Sequence, residues 1–563
     1  MTSMTAPRPI RPVFIVLLLL CVKGIFPLSF ADEGGAGDLA AALVEAMSDE
    51  EALAQTFMLG WVGAEPSPLI LDWIRDRRIG GVKIFGWNTE DTLKLAETVG
   101  ALQRASLEGK FNLPLLVATD QEGGWIRHVK GATSETPGNM AIGASGYPRD
   151  AYLSGYYIGR ELALLGINMN FAPTVDIYTN RASTVIGPRS FGNDPVRAGL
   201  LGTAFMKGQQ AAGVIATAKH YPGHGDTDLD SHGVLPRIAV SFETLWEREL
   251  VPYRMLSKER IPAIMTGHLA FPNTRAESTP ASLSSWFLRD ILLDRIGFQG
   301  LIITDDLMMN GATTWAGSLS QAAKLALLSG NDIIMLSKTP NLADPVWTSL
   351  LSSMGREPVF RERVRDAARR IIATKLEYLR GENAAPSIPD LRKVEAGLPD
   401  PEGSRFFLDL AARSVTILSG DQDLFPLTRE KAGSVLLAGQ YLDFFSAGRA
   451  AYPGARGYWY TPEPESIAAL LDMARRSDTI IFCLSDAEGL GALRTLRGLG
   501  KRVIVFSVLS PVYLDQVPWV DGALAVYSYA PESFIAGFSF MLGRIGAQGQ
   551  LPLQGAPPAG PRG

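Results

Sequence analysis

Between residues 45 and 380 the chain repeats one pattern, a short apolar run followed by a longer stretch with apolar residues at helical spacing. The runs are GGVKIFGW (80–87), LPLLVATD (113–120), INMNFAP (167–173), VIATAKH (214–220), PAIMTGH (262–268), GLIITDD (300–306) and NDIIMLS (331–337). Amphipathic stretches such as AYLSGYYIGRELALLG (151–166) and SQAAKLALLSG (320–330) lie between them. Parallel strands need a crossover between them, so strand and helix in regular succession predict a parallel sheet. Seven or eight such units over roughly 330 residues predict a closed (β/α)8 barrel of the TIM type across 40–380.

At 563 residues the chain is too long for one ordinary core. Residues 381–404, GENAAPSIPDLRKVEAGLPDPEGS, are rich in Pro, Gly, Ala and charge and read as a linker. Beyond them SVLLAG (434–439), TIIFCLS (479–485), KRVIVFSV (501–508) and GALAVYSY (522–529) predict a smaller, open α/β domain over 405–555. That half contains no histidine and no cluster of acids, bases or ligands, which suits a support or a wall of a cleft.

The N-terminus departs from this pattern. Arg8 and Arg11 precede the apolar run VFIVLLLLCV (13–22), and Ser29-Phe30-Ala31 offers small residues at the −3 and −1 positions of a cleavage site. This is the layout of a secretory signal over residues 1–31, and it predicts an exported protein, periplasmic or secreted. The run is about half the ~20 apolar residues of a spanning helix, so no stable membrane span is expected after cleavage. A lipoprotein through Cys21 would require a small residue before it, where Leu20 stands. With Cys21 removed, Cys483 is the one cysteine left, and no internal disulfide can form. A net charge of −5 and the lack of a Lys/Arg run argue against nucleic acid as a partner.

Several apolar runs stop on a polar or ionisable residue: Asp120, Asp176, Lys219-His220, His268 and Asp305. In a parallel barrel such residues project from the face where active sites assemble, although polar residues also begin ordinary loops. Three of the five histidines, His220, His224 and His232, fall within KHYPGHGDTDLDSHG (219–233). Taken alone, this stretch fits three readings: a metal-dependent hydrolase with its ligands among residues 220–232, histidines as structural struts, or acid/base work. Pro222, Gly223 and Gly225 argue against a helix presenting His220 and His224 on one face. Asp230 close to His232 could orient the ring and raise its pKa toward the working pH, as a general acid/base requires. Asp305 is placed to be a nucleophile, or alternatively a carboxylate capping the next helix, with Asp306 pointing elsewhere because strand side chains alternate.

The motifs DQEGG (120–124), GINMNFAPTVD (166–176), VIGPRSFG (185–192), KHYPGHG (219–225), DSH (230–232), MTGH (265–268) and ITDDLMM (303–309) resemble, in order and spacing, those of glycoside hydrolase family 3, in its β-N-acetylglucosaminidase branch. The resemblance continues through RSVTIL (413–418), YSYAPES (527–533) and GAQGQLPL (546–553). It implies a retaining exo-hydrolase without cofactor or metal, acting on GlcNAc-containing oligosaccharides from peptidoglycan or chitin. It further implies Asp305 as nucleophile, His232 with Asp230 as acid/base, and Asp120, Arg189, Lys219 and His220 as sugar contacts. A neutral imidazole in place of an acid/base carboxylate would also suit phosphate in place of water, which makes a GlcNAc phosphorylase an alternative on the same scaffold. A non-catalytic sugar binder would have no need of the three catalytic residues together. His224 and His268 read as supports for their loops. One position departs from the family: eight residues after Asp120, where arginine is common, stands His128, with Arg127 before it. Either Arg127 takes the role through a re-routed loop, or a sugar contact is weakened.

Overall fold

The computed structural model describes residues 35–227, 229, 233–420 and 423–553. The signal-like segment and the acid/base candidates Asp230 and His232 lie outside the described residues.

The first ten strands are β1 (Phe57–Gly60), β2 (Gly81–Ile84), β3 (Leu116–Thr119), β4 (Gln121–Gly123), β5 (Ile126–Arg127), β6 (Met169–Asn170), β7 (Ile215–Tyr221), β8 (Ala263–Thr266), β9 (Leu301–Asp306) and β10 (Ile333–Leu336). Eight of them close a barrel in the order β1-β10-β9-β8-β7-β6-β3-β2, every neighbouring pair parallel. β4 and β5 form a separate antiparallel hairpin beyond the end of β3. This is the barrel the apolar runs predict; β1, inside TFMLGW, is the strand those runs do not include.

The two-residue period of a strand sorts the barrel's side chains into an interior and a helix-facing set. Leu116, Ala118, Ile215, Ala263, Met265, Leu301, Ile303, Ile333 and Met335 share the barrel interior. Their alternates Val117, Ala216, Ala218, Ile264, Ile302, Ile334 and Leu336 belong to the core beneath the helices. Carried to the strand ends, the interior parity falls on Lys83, Asp120, Lys219 and Asp305. Val82 and Ile84, which flank Lys83, sit in the helix-facing core.

Six further strands, β11 (Thr416–Gly420), β12 (Val435–Gly439), β13 (Arg456–Trp459), β14 (Thr479–Leu484), β15 (Arg502–Ser507) and β16 (Gly522–Ala525), form an open sheet in the order β11-β16-β15-β14-β12-β13. Only β11, at one edge, runs antiparallel to its neighbour. Apolar cores cover both faces of this sheet, and the thiol of Cys483 is buried within one of them.

The segment expected to be a linker is more ordered than its composition implied. Helices Leu391–Gly397 and Pro401–Ser414 occupy much of it, with Asp390 and Asp400 accepting backbone N–H bonds as N-caps. Pro401–Ser414 packs on the barrel helix Pro148–Leu164 and on Pro531–Met541 of the second domain, and Arg413 donates to both carboxylate oxygens of Asp150 at 2.7 and 3.1 Å. A shared apolar cluster of Met140, Ala141, Ala144 and Tyr178 with Ala525, Tyr527 and Leu553 joins the two domains. Among the described residues no helix is long and apolar enough to cross a membrane.

Candidate active site

The interior parity positions meet at the C-terminal end of the barrel and form a buried chain of opposite charges. Lys83 donates to Asp120 Oδ2 at 2.8 Å. Lys219 bonds the other oxygen of Asp120 and reaches Glu122 Oε1 at 2.6 Å. Arg189, on the short turn Gly187–Arg189, grips Glu122 with two parallel bonds of 2.8 and 2.9 Å. Lys83, Lys219 and Glu122 are buried, and burial of an unpaired charge is costly, so each ion stands only because of its neighbours. Burial alone would raise the Glu122 carboxyl, but Arg189 and Lys219 hold it down at about 2. Burial also opposes ionisation of Asp120, and Lys219, Lys83 and His128 outweigh it, leaving this carboxyl well below its usual range. Burial lowers Lys83, with Asp120 opposing, while Asp120 and Glu122 lift Lys219 above its ordinary value in spite of burial.

His220 joins this chain from the other side. By strict alternation it would face the helices, but β7 loses register against β8 between Ala218 and Tyr221. Tyr221, which interior parity would place inside the barrel, packs in the helix-facing core instead. The turn frees the His220 ring to face the mouth, where Asp176 fixes it: Nδ1 bonds Asp176 Oδ2 at 2.7 Å, and the His220 amide also donates to that carboxylate. Nε2 is then left to accept from Arg189 Nη2 at 3.3 Å. Asp176 takes a third donor, the His224 amide, at 2.7 Å. Against the cost of burial, attraction to His220 and the other donors keep Asp176 at about 2. The His224 ring is buried beside His220, and burial pulls it down to about 4, so it is neutral at physiological pH.

Asp305, next to last in β9, is half-buried and accepts the amide of Asp306 at 2.8 Å. Burial works against its charge, yet the neighbouring His220 and His268 rings, with the Asp306 amide, hold its pKa below the usual carboxylate range. Asp306 points the other way, accepting the amides of Met308 and Ser337 at 3.0 Å each. His268 braces this corner, with Nε2 donating to the Asp306 carbonyl at 3.0 Å and Nδ1 bonded to Ser282 Oγ at 2.7 Å.

The structure thus brings Asp120, Arg189, Lys219, His220 and Asp305 to one mouth. It adds two residues not singled out in the sequence, Lys83 and Glu122, and gives the strand-end residue Asp176 its role as the fixing group of His220. It also settles the departure after DQEGG. Arg127 turns away, donating to the Thr133 carbonyl at 2.9 Å and to Glu135 at 3.0 Å. His128 faces the site instead, with Nδ1 3.2 Å from Lys83 Nζ and 3.5 Å from Asp120 Oδ2. Among the described residues no group of three or more His, Cys, Asp or Glu side chains is arranged to hold a metal ion. The arrangement is a fixed carboxylate beside polar groups matched to hydroxyls, suited to attack on an electrophilic carbon held across the barrel mouth.

The Glycosyl hydrolase family 3 N terminal domain matches residues 50–374. The beta-hexosaminidase A of Pseudoalteromonas piscicida is 33% identical over 377 residues, covering 63% of this chain and 62% of that protein. This chain therefore spans under two thirds of that relative's length. The beta-hexosaminidase of Nitrosomonas eutropha is 31% identical over 324 residues, covering 56% of this chain and 86% of its own. A solved glycoside hydrolase family 3 beta-N-acetylglucosaminidase from Paenibacillus sp. superposes with a TM-score of 0.82 at 28% identity, over 90% of this chain and 99% of that one.

Proposed function

This chain belongs to glycoside hydrolase family 3, and from that premise we propose that it is an exported, retaining β-N-acetylhexosaminidase. Its substrates are oligosaccharides with a terminal β-linked GlcNAc, such as peptidoglycan or chitin fragments. The observation that carries the reading is Asp305, an interior-facing carboxylate at the end of β9 whose pKa is held down by His220 and His268 across the site from Asp120. An ionised carboxylate at that point is a nucleophile in waiting.

In the reaction Asp305 attacks C1 of the terminal sugar and forms an ester as the glycosidic C1–O bond breaks. The departing oxygen takes its proton from His232, which Asp230 orients; both are assigned from the DSH motif. Water then gives a proton back to His232 and attacks C1, and the ester bond breaks to free Asp305. Lys219, Glu122 and Arg189 hold Asp120 and His220 in place for the sugar hydroxyls and the N-acetyl group, so little reorganisation is needed at the moment of reaction. Export rests on the signal-like layout of residues 1–31.

The test is release of 4-nitrophenol from its β-GlcNAc glycoside by the purified chain, with the anomer of the first-formed GlcNAc followed by NMR. The reading expects turnover with the β anomer formed first. No turnover, or the α anomer first, would sink it.

A further inference from the structure

The ring of strands dictates which end of a sugar meets which residue. In the closed barrel β3 lies four places from β9 whichever way the strands are counted. Asp120 and Asp305 therefore face each other across the mouth. In a pyranose, C4 is the ring carbon opposite C1. A terminal sugar with C1 at Asp305 presents its C4 hydroxyl toward Asp120.

His128 stands beside Asp120, brought there by the β4–β5 hairpin, and its amide donates to the Asp120 carbonyl at 3.0 Å. The protonation of its ring follows from a count of hydrogens. The Lys83 ammonium carries three protons and has three acceptors within reach: the Ile84 carbonyl at 2.7 Å, Asp120 Oδ2 at 2.8 Å and His128 Nδ1 at 3.2 Å. Nδ1 is thus an acceptor, and a neutral imidazole must carry its proton on Nε2. Burial, and after it Lys83, pull the ring down to about 4, so it is neutral where a glycosidase works. The side chain remains 29% exposed, and among the described residues Nε2 has no hydrogen-bond partner. The adjacent cation, Arg127, is engaged elsewhere by Thr133 and Glu135.

We propose that His128 reads the C4 hydroxyl of the terminal sugar, its Nε2–H donating to that oxygen while Asp120 accepts the hydroxyl proton. An equatorial C4 hydroxyl meets both groups, and an axial one is carried away from them. His128 is then a specificity-determining residue that favours GlcNAc over its C4 epimer GalNAc. The inference rests on the glycosidase reading above.

Two conservative substitutions separate this role from support of Lys83. The Asn side chain of His128→Asn can place its oxygen where Nδ1 accepts from Lys83 but cannot reach the Nε2 position. Gln in His128→Gln can put an amide N–H there. Loss of one hydrogen bond to a substrate hydroxyl predicts about a tenfold fall in kcat/KM of His128→Asn on the β-GlcNAc glycoside. The β-GalNAc glycoside should change little, so the GlcNAc preference shrinks by the same factor, while His128→Gln stays within about threefold of the wild type. An active His128→Asn with its preference intact would overturn the inference, because support of Lys83 alone predicts that result. A second measurement needs only a folded wild type: 4-deoxy-GlcNAc should inhibit about tenfold more weakly than GlcNAc, and equal inhibition by the two overturns the proposal. No turnover of either glycoside by the wild type would sink the glycosidase reading itself, whereas turnover with an unchanged preference in His128→Asn sinks this inference alone.

Discussion

The two domains are built from the same parts, parallel strands with helices between them, yet they treat the C-terminal ends of their strands differently. In the barrel, closure aims the last interior positions in or just beyond β2, β3, β7 and β9 at one point, and these are Lys83, Asp120, Lys219 and Asp305. In the second domain the sheet is open, and its strand ends do not converge. A carboxylate close to such an end, Asp486 after β14, caps a helix by accepting the Gly489 amide at 2.7 Å. Charge at a strand end becomes a site only where closure brings several such ends together, each ion supplying the counter-charge that makes its neighbour's burial tolerable.

That contrast orders the expected effects of substitution. Asp305→Ala should abolish turnover, by about 10⁴-fold or more in kcat, since removing a covalent nucleophile leaves only binding and residual electrostatics. Its melting temperature should stay close to that of the wild type, because the Asp305 side chain is half-buried and, among the described residues, is bonded only to a neighbouring amide. Asp176→Asn should lower kcat/KM by about 10- to 100-fold, the worth of a hydrogen bond to a charged group, as His220 loses its orienting partner. Steady-state kinetics on the β-GlcNAc glycoside measure both.

Part of the acid limb of stability should come from a buried histidine of the barrel. His224 has its folded pKa near 4, below the 6.5 of a free imidazole. The unfolded chain therefore binds the proton first, and stability from this group is lost as pH falls from about 6.5 toward 4. Thermal unfolding of His224→Gln should show a flatter pH dependence than the wild type over that window, by up to about 3 kcal/mol. Parallel curves would show that the ring is not buried neutral. Smallest of all, Asp486→Ala should cost about 1 kcal/mol through the lost helix cap and leave kcat/KM unchanged. A fall in activity there would make the second domain more than a support.

Much of this arrangement was legible in the sequence, for a physical reason. Apolar runs ending on Asp120, Lys219 and Asp305 carry their own parity, and a two-residue period needs no structure to be extended by one step. Lys83 was legible by the same rule, as a charge at an interior position within GGVKIFGW. Elsewhere the sequence was silent because the outcome depended on contacts remote along the chain. The exposure of His220 to the mouth depends on the slip in register between β7 and β8. The choice of His128 over Arg127 was made by the β4–β5 hairpin and by Glu135, which draws the guanidinium away. β1 follows the helix Asp49–Gln55 almost without a break, and no turn residue announces it. In the presumed linker, the capping positions of Asp390 and Asp400 were outweighed by the proline and glycine around them.

The central claim, that barrel closure makes Asp305 the nucleophile, is tested most directly by trapping the intermediate. The wild type would be treated with a 5-fluoro derivative of β-GlcNAc fluoride, which slows breakdown of a glycosyl ester, and the labelled peptide sequenced by mass spectrometry. The account predicts a single sugar adduct on the strand LIITDD (301–306), carried by Asp305. An adduct on Asp306 or on any other carboxylate would contradict it.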